Sequence, residues 1–273
     1  MALESLDRID ITRLSLDLPE SAAGEFDVNA EVTSENWSHW TKDLKSMNSL
    51  IQASDMVQLA AGLKVVATDK FSESLLPERA EELIRDRTQA LKGAENWYEY
   101  LRVWAHLTMV FPDQATRNYL TGPLLKIADI ERVVRGCRSL KDWSSYTVAL
   151  RDWRIVFGAN LSEVEEDWDL IKAYCKAKVD LGFMLSKYTA AVRLIFPERF
   201  AELELGEAEW QTMKDVYMDI EHPREQVEML SYLKILAADQ VEVTDQGIEL
   251  SNKPKFGLEA EQSYSPLPEI RNF

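Results

Sequence analysis

The chain has 273 residues, with 47 Asp and Glu against 31 Lys and Arg, and its formal net charge is −16. This balance argues against a basic nucleic-acid coat and a polybasic membrane anchor. The two cysteines do not make a disulfide scaffold. The first residues lack the basic stretch followed by an apolar stretch that is typical of a secretory signal. The apolar stretch 103–112 is shorter than the ~20 residues that a membrane helix needs. We therefore expect a cytoplasmic protein without a membrane partner.

The negative charge is concentrated at the two ends of the chain. Residues 1–35 carry nine acids and two bases, a net charge of −7. Residues 198–273 carry seventeen acids and seven bases, a net charge of −10, whereas 36–197 are close to neutral at +1. Within that central part, 117–154 hold eight bases and four acids. The sequence thus predicts a basic segment between two acidic ends.

Two stretches near the N-terminus, 9–18 and 26–32, alternate apolar and polar residues around a turn-like segment at 19–24. Alternation of this kind predicts a β-hairpin. A second hairpin is predicted at 241–250, where Asp245-Gln246-Gly247 supplies the turn. We expect these three or four strands to form one small sheet.

Between the two predicted hairpins, apolar residues recur at helical spacing. Gly at helix ends and Pro at helix starts divide the segment, and Ser34 is the expected first N-cap. The predicted helices cover 34–66, 77–93, 94–111, a short piece after Pro112, 123–136, 139–157, 161–196, 197–204, 207–220 and 223–239. The segment 161–196 is predicted as one long helix or as two helices with a joint near Gly182.

The predicted fold is therefore mainly α, either an irregular multi-helix bundle or a short helical array with a small β-hairpin element. We divide the chain into an N-terminal β-hairpin segment (1–33), a helical body that ends in a short hairpin (34–250) and an extended tail (251–273). Prolines break any helix in the tail.

One octet is echoed within the chain. Residues 76–83, LPERAEEL, resemble residues 196–203, FPERFAEL. The echo indicates either a helical repeat or ordinary helix punctuation, in which an apolar helix end is followed by Pro. The irregular spacing of the copies favours ordinary punctuation.

No glycine-rich phosphate loop, nucleophile elbow or paired-histidine zinc motif is present. The histidines are His39, His106 and His222. A metal site needs three or four converging ligands. Glu35 lies four residues before His39 and Asp219 three before His222, and carboxylate–histidine pairs at helical spacing often arise by chance. We predict no metal and no cofactor, and we expect His106 to be a partly buried histidine with satisfied hydrogen bonds.

An acidic run opens the predicted helix 161–196. The sequence Glu165-Glu166-Asp167-Trp168-Asp169 resembles the aspartate-rich motif of isoprenoid synthases. That resemblance implies a magnesium-dependent enzyme acting on a diphosphate through Glu165, Glu166 and Asp169. No second metal motif with Asn, Ser and Glu follows, however. The alternative is a helix start with Ser162 as N-cap and acids that favour the helix dipole.

Cys137 lies between Arg135 and Arg138, which would lower the pKa of a thiol and favour a nucleophile. The alternative is an ordinary cysteine at a helix end, which the lack of a nearby histidine favours. Cys175 is expected in the core.

The basic segment is the main candidate binding surface. Its candidate contact residues are Arg132, Arg135, Arg138, Lys141, Arg151 and Arg154. Interleaved Trp143, Tyr146 and Trp153 could stack on bases. Three hypotheses stay open: the segment binds an anionic partner, it binds the acidic ends of its own chain, or it is a solvated face with local pairs to Asp129 and Glu131.

Two further patterns leave alternatives open. The eight tryptophans, about one for each predicted helix, act as core anchors or as interface anchors. The segment 223–250, a helix followed by a hairpin, resembles the end of a winged-helix domain. Its acidic character implies contact with a protein rather than with DNA.

These features favour a non-enzymatic protein for interaction with another protein or for self-assembly. A tail with spaced apolar residues could bind a partner or a neighbouring copy; those residues are Tyr264, Leu267, Ile270 and Phe273. The second hypothesis is a nucleic-acid-binding or nucleoprotein-assembly factor that uses 117–154, although the net charge disfavours it. The diphosphate enzyme is the third hypothesis.

Overall fold

The computed structural model describes residues 27–111, 113–122, 127–161, 164–178, 181–238, 240–244 and 247–251. These residues form α1 (Ser34–Ser46), α2 (Ala53–Val66), α3 (Ala80–Gly93), α4 (Trp97–Val110), α5 (Gln114–Thr121), α6 (Ile127–Ser139), α7 (Trp143–Phe157), α8 (Trp168–Lys176), α9 (Gly182–Ile195), α10 (Glu207–Asp219), α11 (Pro223–Ala237), β1 (Gln240–Thr244) and β2 (Gly247–Ser251). Short 3₁₀ helices cover Glu73–Leu75, Val164–Asp167 and Pro197–Leu203. The mainly α class with a small hairpin is confirmed.

Most of the helices form successive pairs joined by short connections, which place paired helices antiparallel. The pairs are α1 with α2, α3 with α4, α6 with α7, α8 with α9, and α10 with α11, and α5 packs beside α3 and α4. The second helix of each pair packs against the second helix of the next pair. We call these second helices the inner helices and their partners the outer helices.

The inner helices close into a ring. In chain order α2 packs on α4, α4 on α7, α7 on α9 and α9 on α11, and α11 returns to pack on α2. Each outer helix lies between its own inner helix and the preceding one, so that α1 contacts α11. Within the described residues the architecture is therefore an α/α-barrel of five helix pairs. Of the two predicted arrangements, the structure is a helical array, and the array is closed.

The ring closes through a close approach of α2 and α11 at Gly62. A Cβ atom at this position would lie 2.8 Å from Cγ1 of Val227, which is fully buried. Valine is stiff at χ1 and cannot move aside cheaply. Glycine at 62 therefore allows the first and last inner helices to touch.

The C-terminal ends of the inner helices are tied to their neighbours around the ring. Nζ of Lys234 in α11 donates to the carbonyl oxygen of Val66 in α2 at 2.6 Å, and Nζ of Lys64 in α2 donates to Val110 in α4 at 3.3 Å. Arg193 in α9 donates to the carbonyl oxygens of Leu236 and Ala238 at the end of α11. Helix C-termini leave carbonyl groups unsatisfied and attract positive charge. These bonds therefore join neighbouring inner helices and satisfy their ends.

The hairpin covers the C-terminal ends of the inner helices. Strands β1 and β2 are antiparallel, with Val241 opposite Leu250 and Val243 opposite Ile248. These four side chains pack on the core, and the strands contact α4, α7 and α9. The predicted late hairpin is therefore confirmed, and it closes one end of the barrel.

The N-terminal hairpin prediction is wrong over the part that can be checked. Residues 28–31 form a turn, with backbone bonds from Ala30 to Asp27 (2.9 Å) and from Val32 to Asn29 (3.2 Å). Val28 and Val32 are both buried. In a turn, two residues four apart can face the same side. The same spacing also occurs in an alternating strand, which is why the sequence resembled one. Residues 1–26 lie outside the described residues, and the described sheet has two strands, both from 240–251.

Several helix boundaries differ from the predictions. The predicted helix 34–66 is two helices, α1 and α2, and Thr33 rather than Ser34 is the N-cap, accepting from the amide of Asn36 at 3.1 Å. The segment 161–196 is two helices with the joint before Gly182, as the second alternative predicted. Ser162 lies outside the described residues, and Pro197–Leu203 is a 3₁₀ helix.

A repeated turn supports the helix-pair description. Before α4, Glu95 has a positive φ of 54° and Asn96 caps the helix; before α7, Lys141 has a φ of 57° and Asp142 caps it. A tryptophan follows in both cases. The echoed octets 76–83 and 196–203 both come after an inner helix, but 76–83 runs into the first turn of α3, whereas 197–203 form a separate 3₁₀ helix before α10. The two turns are alike, whereas the octets differ in structure and remain consistent with ordinary helix punctuation.

All eight tryptophans contact the hydrophobic core. Five are buried, namely Trp40, Trp104, Trp153, Trp168 and Trp210, and the other three are partly buried against it. Their rings therefore act as core anchors. No helix of the described segments is long and apolar enough to span a membrane.

The close approach at Gly62 gives a test of the ring. We expect Gly62→Ala to lower the free energy of unfolding by about 1–3 kcal/mol, because the added methyl overpacks the contact with Val227. The matched control is Gly136→Ala in α6, where a Cβ meets no atom within 4 Å; it should raise stability by about 0.5–1 kcal/mol. Chemical denaturation measures both. Equal effects of the two substitutions would contradict the close contact.

Candidate functional site

A cavity lies inside the ring of inner helices, beneath the hairpin. The space open to the centre of a water-sized sphere is about 40 Å³, within about 550 Å³ of empty space that includes the opening to solvent. All five inner helices and β2 line it, through Gln58, Leu59, Ala61, Gly62, His106, Met109, Arg151, Ile155, Ala190, Leu194, Arg224, Glu228, Ser231, Tyr232, Ile235 and Ile248. We call this cavity the lumen. A largely apolar pocket with a few convergent polar groups is the usual form of a small-molecule site.

The lumen opens at the N-terminal ends of the inner helices. Arg224 lines it from the first turn of α11 and keeps 32% of its side chain exposed. Its guanidinium pairs with Asp55 of α2 at 2.5 Å. Beside this pair, Nη2 of Arg102 donates to Oε1 of Gln58 at 2.8 Å. We call this end of the barrel the mouth.

Arg151 is the most deeply buried charged group of the lumen. Its Nε and Nη2 atoms donate to one oxygen of the neighbouring Asp152 at 2.8 and 2.6 Å, and both side chains are buried. The pairing with Asp152 raises the pKa of Arg151 above its usual value, although burial opposes it. No hydrogen bond joins Nη1 to the described residues, so this donor remains available within the lumen.

His106 is held in its neutral form. Burial lowers the pKa of its imidazole well below the usual 6.5, and the positive charges of Arg151, Arg102 and Lys187 lower it further. The ring makes no hydrogen bond with the described residues. It was predicted to be partly buried with satisfied hydrogen bonds; it is partly buried, but those bonds are absent. A neutral imidazole in a polar layer can accept a proton or a hydrogen bond.

Glu228 and Tyr232 add two polar groups to the lining of the lumen, and Lys187 lies on α9 one helical turn before Ala190, which lines the lumen. We call Arg102, His106, Arg151, Lys187, Glu228 and Tyr232 the polar layer. Burial lowers the pKa of the Lys187 ammonium group, with Glu228 opposing and Arg151 and Arg102 reinforcing the effect. The hydroxyl of Tyr232 donates to Oε1 of Glu228 at 2.5 Å, and burial raises the pKa of that phenol.

The structure separates the six basic residues that the sequence grouped together. Arg132 and Arg135 lie on the exposed face of α6, where they pair with Asp129 at 3.5 Å and Glu131 at 2.6 Å. Both predicted local pairs are therefore present. Arg151 belongs to the lumen instead, on an inner helix.

The remaining three basic residues are also dispersed. Arg138 pairs with buried Asp167 at 2.7 Å and with Glu166 at 3.5 Å. Lys141 is exposed in the turn before α7, and Arg154 is half-buried, with no hydrogen bond from its Nε atom. As a binding surface for an anionic macromolecule, the described geometry offers Arg132, Arg135 and Lys141.

The acidic run lies on the outer wall of the barrel. Asp167 is buried and accepts a hydrogen bond from the hydroxyl of Tyr146 at 2.7 Å in addition to its pair with Arg138. Glu165 and Glu166 are exposed on the 3₁₀ helix before α8, and Asp169 is exposed in the first turn of α8. Within the described segments, no group of three or more His, Cys, Asp or Glu side chains could hold a metal ion.

The cysteines lack the features of a nucleophile. Burial raises the pKa of the Cys137 thiol, and Asp142 raises it further, despite the flanking arginines. Cys175 is buried, as predicted. The tail residues Tyr264, Leu267, Ile270 and Phe273 lie outside the described residues, so the tail-binding hypothesis stays a prediction.

Sequence reasoning missed Arg102, Lys187, Glu228 and Tyr232. They lie on three helices that are distant in sequence, and only ring closure brings them together. A signal was present in the repeated turn, because Asn96-Trp97 and Asp142-Trp143 mark equivalent helix starts. No family model matches the chain, and neither a curated protein nor a solved structure matches it.

The neutral His106 predicts a pH dependence of stability. Below pH 6.5 the unfolded state binds a proton that the folded state excludes, so stability falls as the pH is lowered from 7 to 5, by at most about 1.4 kcal/mol per pH unit. We expect His106→Gln to reduce this loss, and His39→Gln, on the exposed face of α1, to leave it unchanged. Urea denaturation at several pH values measures the free energy of unfolding of the wild type and of both variants. An identical pH profile in wild type and His106→Gln would contradict the assignment.

Proposed function

We propose that the lumen binds a small organic anion with an apolar part. The observation that carries this proposal is the buried guanidinium of Arg151, which lines the cavity together with apolar side chains. Arg102, which donates to Gln58 of the cavity wall, and Lys187 on α9 add two positive charges, and all three cations lower the pKa of His106. Guanidinium groups recognise carboxylate and phosphate oxygens through charge-assisted hydrogen bonds.

The balance of charge within the layer supports an anionic ligand. Asp152 is already engaged by two atoms of Arg151, and Glu228 accepts from Tyr232. Lys187 makes no hydrogen bond or ion pair with the described residues. A ligand carboxylate would therefore supply the partner that the Lys187 ammonium and Nη1 of Arg151 lack.

The apolar end of the lumen is suited to bind the apolar part of the proposed ligand. Met109, Ile155, Leu194, Ile235 and Ile248 lie in the half of the lumen under the hairpin. A ligand that entered through the mouth would place its apolar part against these side chains. Its carboxylate would remain in the polar layer.

Calorimetric titration with butyrate, pyruvate and inorganic phosphate, at constant ionic strength, tests the proposal. We expect saturable binding of at least one carboxylate. Arg102→Gln should weaken that binding about tenfold, because it removes one charge-assisted contact worth about 1.5 kcal/mol. The control Arg79→Gln removes a cation from the outer surface, where Arg79 pairs with Glu82, and should leave binding unchanged.

A companion variant addresses Arg151. Arg151→Gln alone would leave Asp152 buried without a partner and could unfold the chain. The double substitution Arg151→Gln and Asp152→Asn removes both charges together, and we expect it to weaken carboxylate binding at least about tenfold as well. No saturable binding of any probe to the wild-type chain, or equal weakening by Arg79→Gln, would contradict the proposal.

A second candidate function is the protein interaction or self-assembly that the sequence favoured. The observation in its favour is that exposed apolar side chains lie at the mouth, on connections from outer to inner helices. Ile51 is 85% exposed and Leu140 is 82% exposed, and Leu181 and Met218 are exposed at the same end. Aromatic or apolar side chains of a partner could cover them. The nucleic-acid and diphosphate hypotheses gain no further support.

Deletion of 252–273 tests the predicted role of the tail in assembly. If the tail binds a neighbouring copy, sedimentation should show a concentration-dependent assembly for the full chain and its loss for the shortened chain. The substitution Phe273→Ser, which keeps the length of the tail, serves as a milder variant. An identical mass distribution for the full and shortened chains would contradict the tail's role in self-assembly.

A further inference from the structure

We infer that the mouth of the barrel is the contact surface of a symmetric dimer, in which two copies of this chain pack mouth to mouth. The inference rests on the second candidate function, interaction through exposed apolar side chains, and it names the partner and the pairing. It does not depend on anion binding in the lumen. Three observations support it: where the exposed apolar side chains lie, their order around the ring, and the area of the mouth.

The first observation is the concentration of exposed apolar side chains at one end of the barrel. Within the described residues nine large apolar side chains are exposed. Six of them lie at the mouth, on the connections from outer to inner helices or in the adjoining helical turn, namely Leu50, Ile51, Leu140, Leu181, Met184 and Met218. Such a concentration is typical of a surface that another molecule covers.

The second observation is the order of these side chains around the ring. Four of the five connections from an outer to an inner helix carry one or two of them, in the loop or in the adjoining turn: α1–α2, α6–α7, α8–α9 and α10–α11. The α3–α4 connection, residues 94–96, carries none and exposes Glu95 instead. The mouth is therefore apolar on every connection except one.

This order fits a single two-fold axis. When two copies meet face to face about an axis in the plane of contact, positions on one side of the axis meet positions on the other side. An axis through the α3–α4 connection places α1–α2 of one copy on α6–α7 of the other, and α8–α9 on α10–α11. Every apolar connection then meets an apolar one. An axis through any other connection would place an apolar connection against Glu95.

The described charges at the mouth agree with this pairing. The α8–α9 connection carries Lys178, whereas Asp219 and Glu221 are exposed at the end of α10 and in the α10–α11 connection. The proposed axis brings these opposite charges together across the interface. A membrane surface with anionic headgroups would instead be repelled by Glu95, Asp219 and Glu221. The charges therefore favour a second copy over a lipid surface.

The third observation is the size of the mouth. Helices packed about 8–10 Å apart give the end of a barrel of five helix pairs an area on the order of 1,000 Å². A stable protein–protein interface buries about 800 Å² on each partner. The mouth is therefore large enough to hold a dimer together.

Sedimentation velocity on the full chain tests the dimer. We expect a concentration-dependent equilibrium between monomer and dimer. Leu140→Asp should raise the dissociation constant at least about a hundredfold, because the substitution occurs twice in the dimer and each copy weakens it about tenfold. The matched control is Leu170→Asp at the start of α8, where the leucine is 49% exposed at the opposite end of the barrel, and it should leave the dimer unchanged. Thermal unfolding verifies that both variants are folded.

Engineered cysteines test the axis. In a chain that carries Cys137→Ser, the pair Ile51→Cys and Leu140→Cys should give a disulfide-linked dimer that joins residue 51 of one copy to residue 140 of the other. The pair Ile51→Cys and Met218→Cys, which the axis keeps apart between copies, should give far less linked dimer. Glu95→Gln should strengthen the dimer, because the axis places the two Glu95 side chains near each other.

The outcomes separate this inference from the functions proposed above. A chain that remains monomeric at the highest concentration tested would overturn the dimer and leave anion binding intact. A dimer that Leu140→Asp does not weaken, but that deletion of 252–273 removes, would overturn the mouth as the contact and leave assembly through the tail. Equal linkage of the two cysteine pairs would overturn the axis.

Discussion

The structure depends on the closure of the inner helices into a ring. An open array of helix pairs would leave the apolar flank of α2 and that of α11 facing solvent, whereas the ring packs them on each other at Gly62 and Val227. The same closure satisfies the helix ends, since Lys234 donates to Val66 across 168 residues of sequence. Burial of the apolar side chains and hydrogen bonding of the helix-end carbonyl groups therefore both require the closed ring.

Closure also creates the lumen and determines its chemistry. Apolar side chains from all five inner helices line the lumen, and polar side chains from α2, α4, α7 and α11 join them there. Removed from bulk water, these groups interact more strongly and shift one another's pKa values. Burial, together with neighbouring positive charges, lowers the pKa of His106 and that of Lys187. Perturbed groups of this kind cluster at functional sites.

Local signals predicted much of the fold from the sequence. Gly158, in the left-handed region at φ 69°, ends α7 as expected, and the joint before Gly182 and the late hairpin were both anticipated. The alternating pattern around Val28 and Val32 gave a wrong strand prediction, because apolar residues four apart occur in turns as well as in strands. Local patterns describe neighbours along the chain, so they located most of the helices and the late hairpin, although 34–66 proved to be two helices.

The site was largely beyond such prediction. The basic segment 117–154 was grouped by sequence proximity, but its residues divide between the outer helix α6, which carries Arg132 and Arg135, and the inner helix α7, which carries Arg151. Arg151 was chosen for its charge, and its partners in the lumen come from α4, α9 and α11. These residues are brought near Arg151 only by the closure of the ring, which is a contact between segments distant in sequence.

Hydrogen exchange followed by mass spectrometry tests the closed ring most directly. In an open array the terminal helices lack a neighbour on one side and open locally at low cost. The closed barrel predicts that the amides of α2 and α11 exchange as slowly as those of α4, α7 and α9. Much faster exchange of α2 or α11 than of α7 would contradict closure, and the lumen and its proposed chemistry would lose their structural basis.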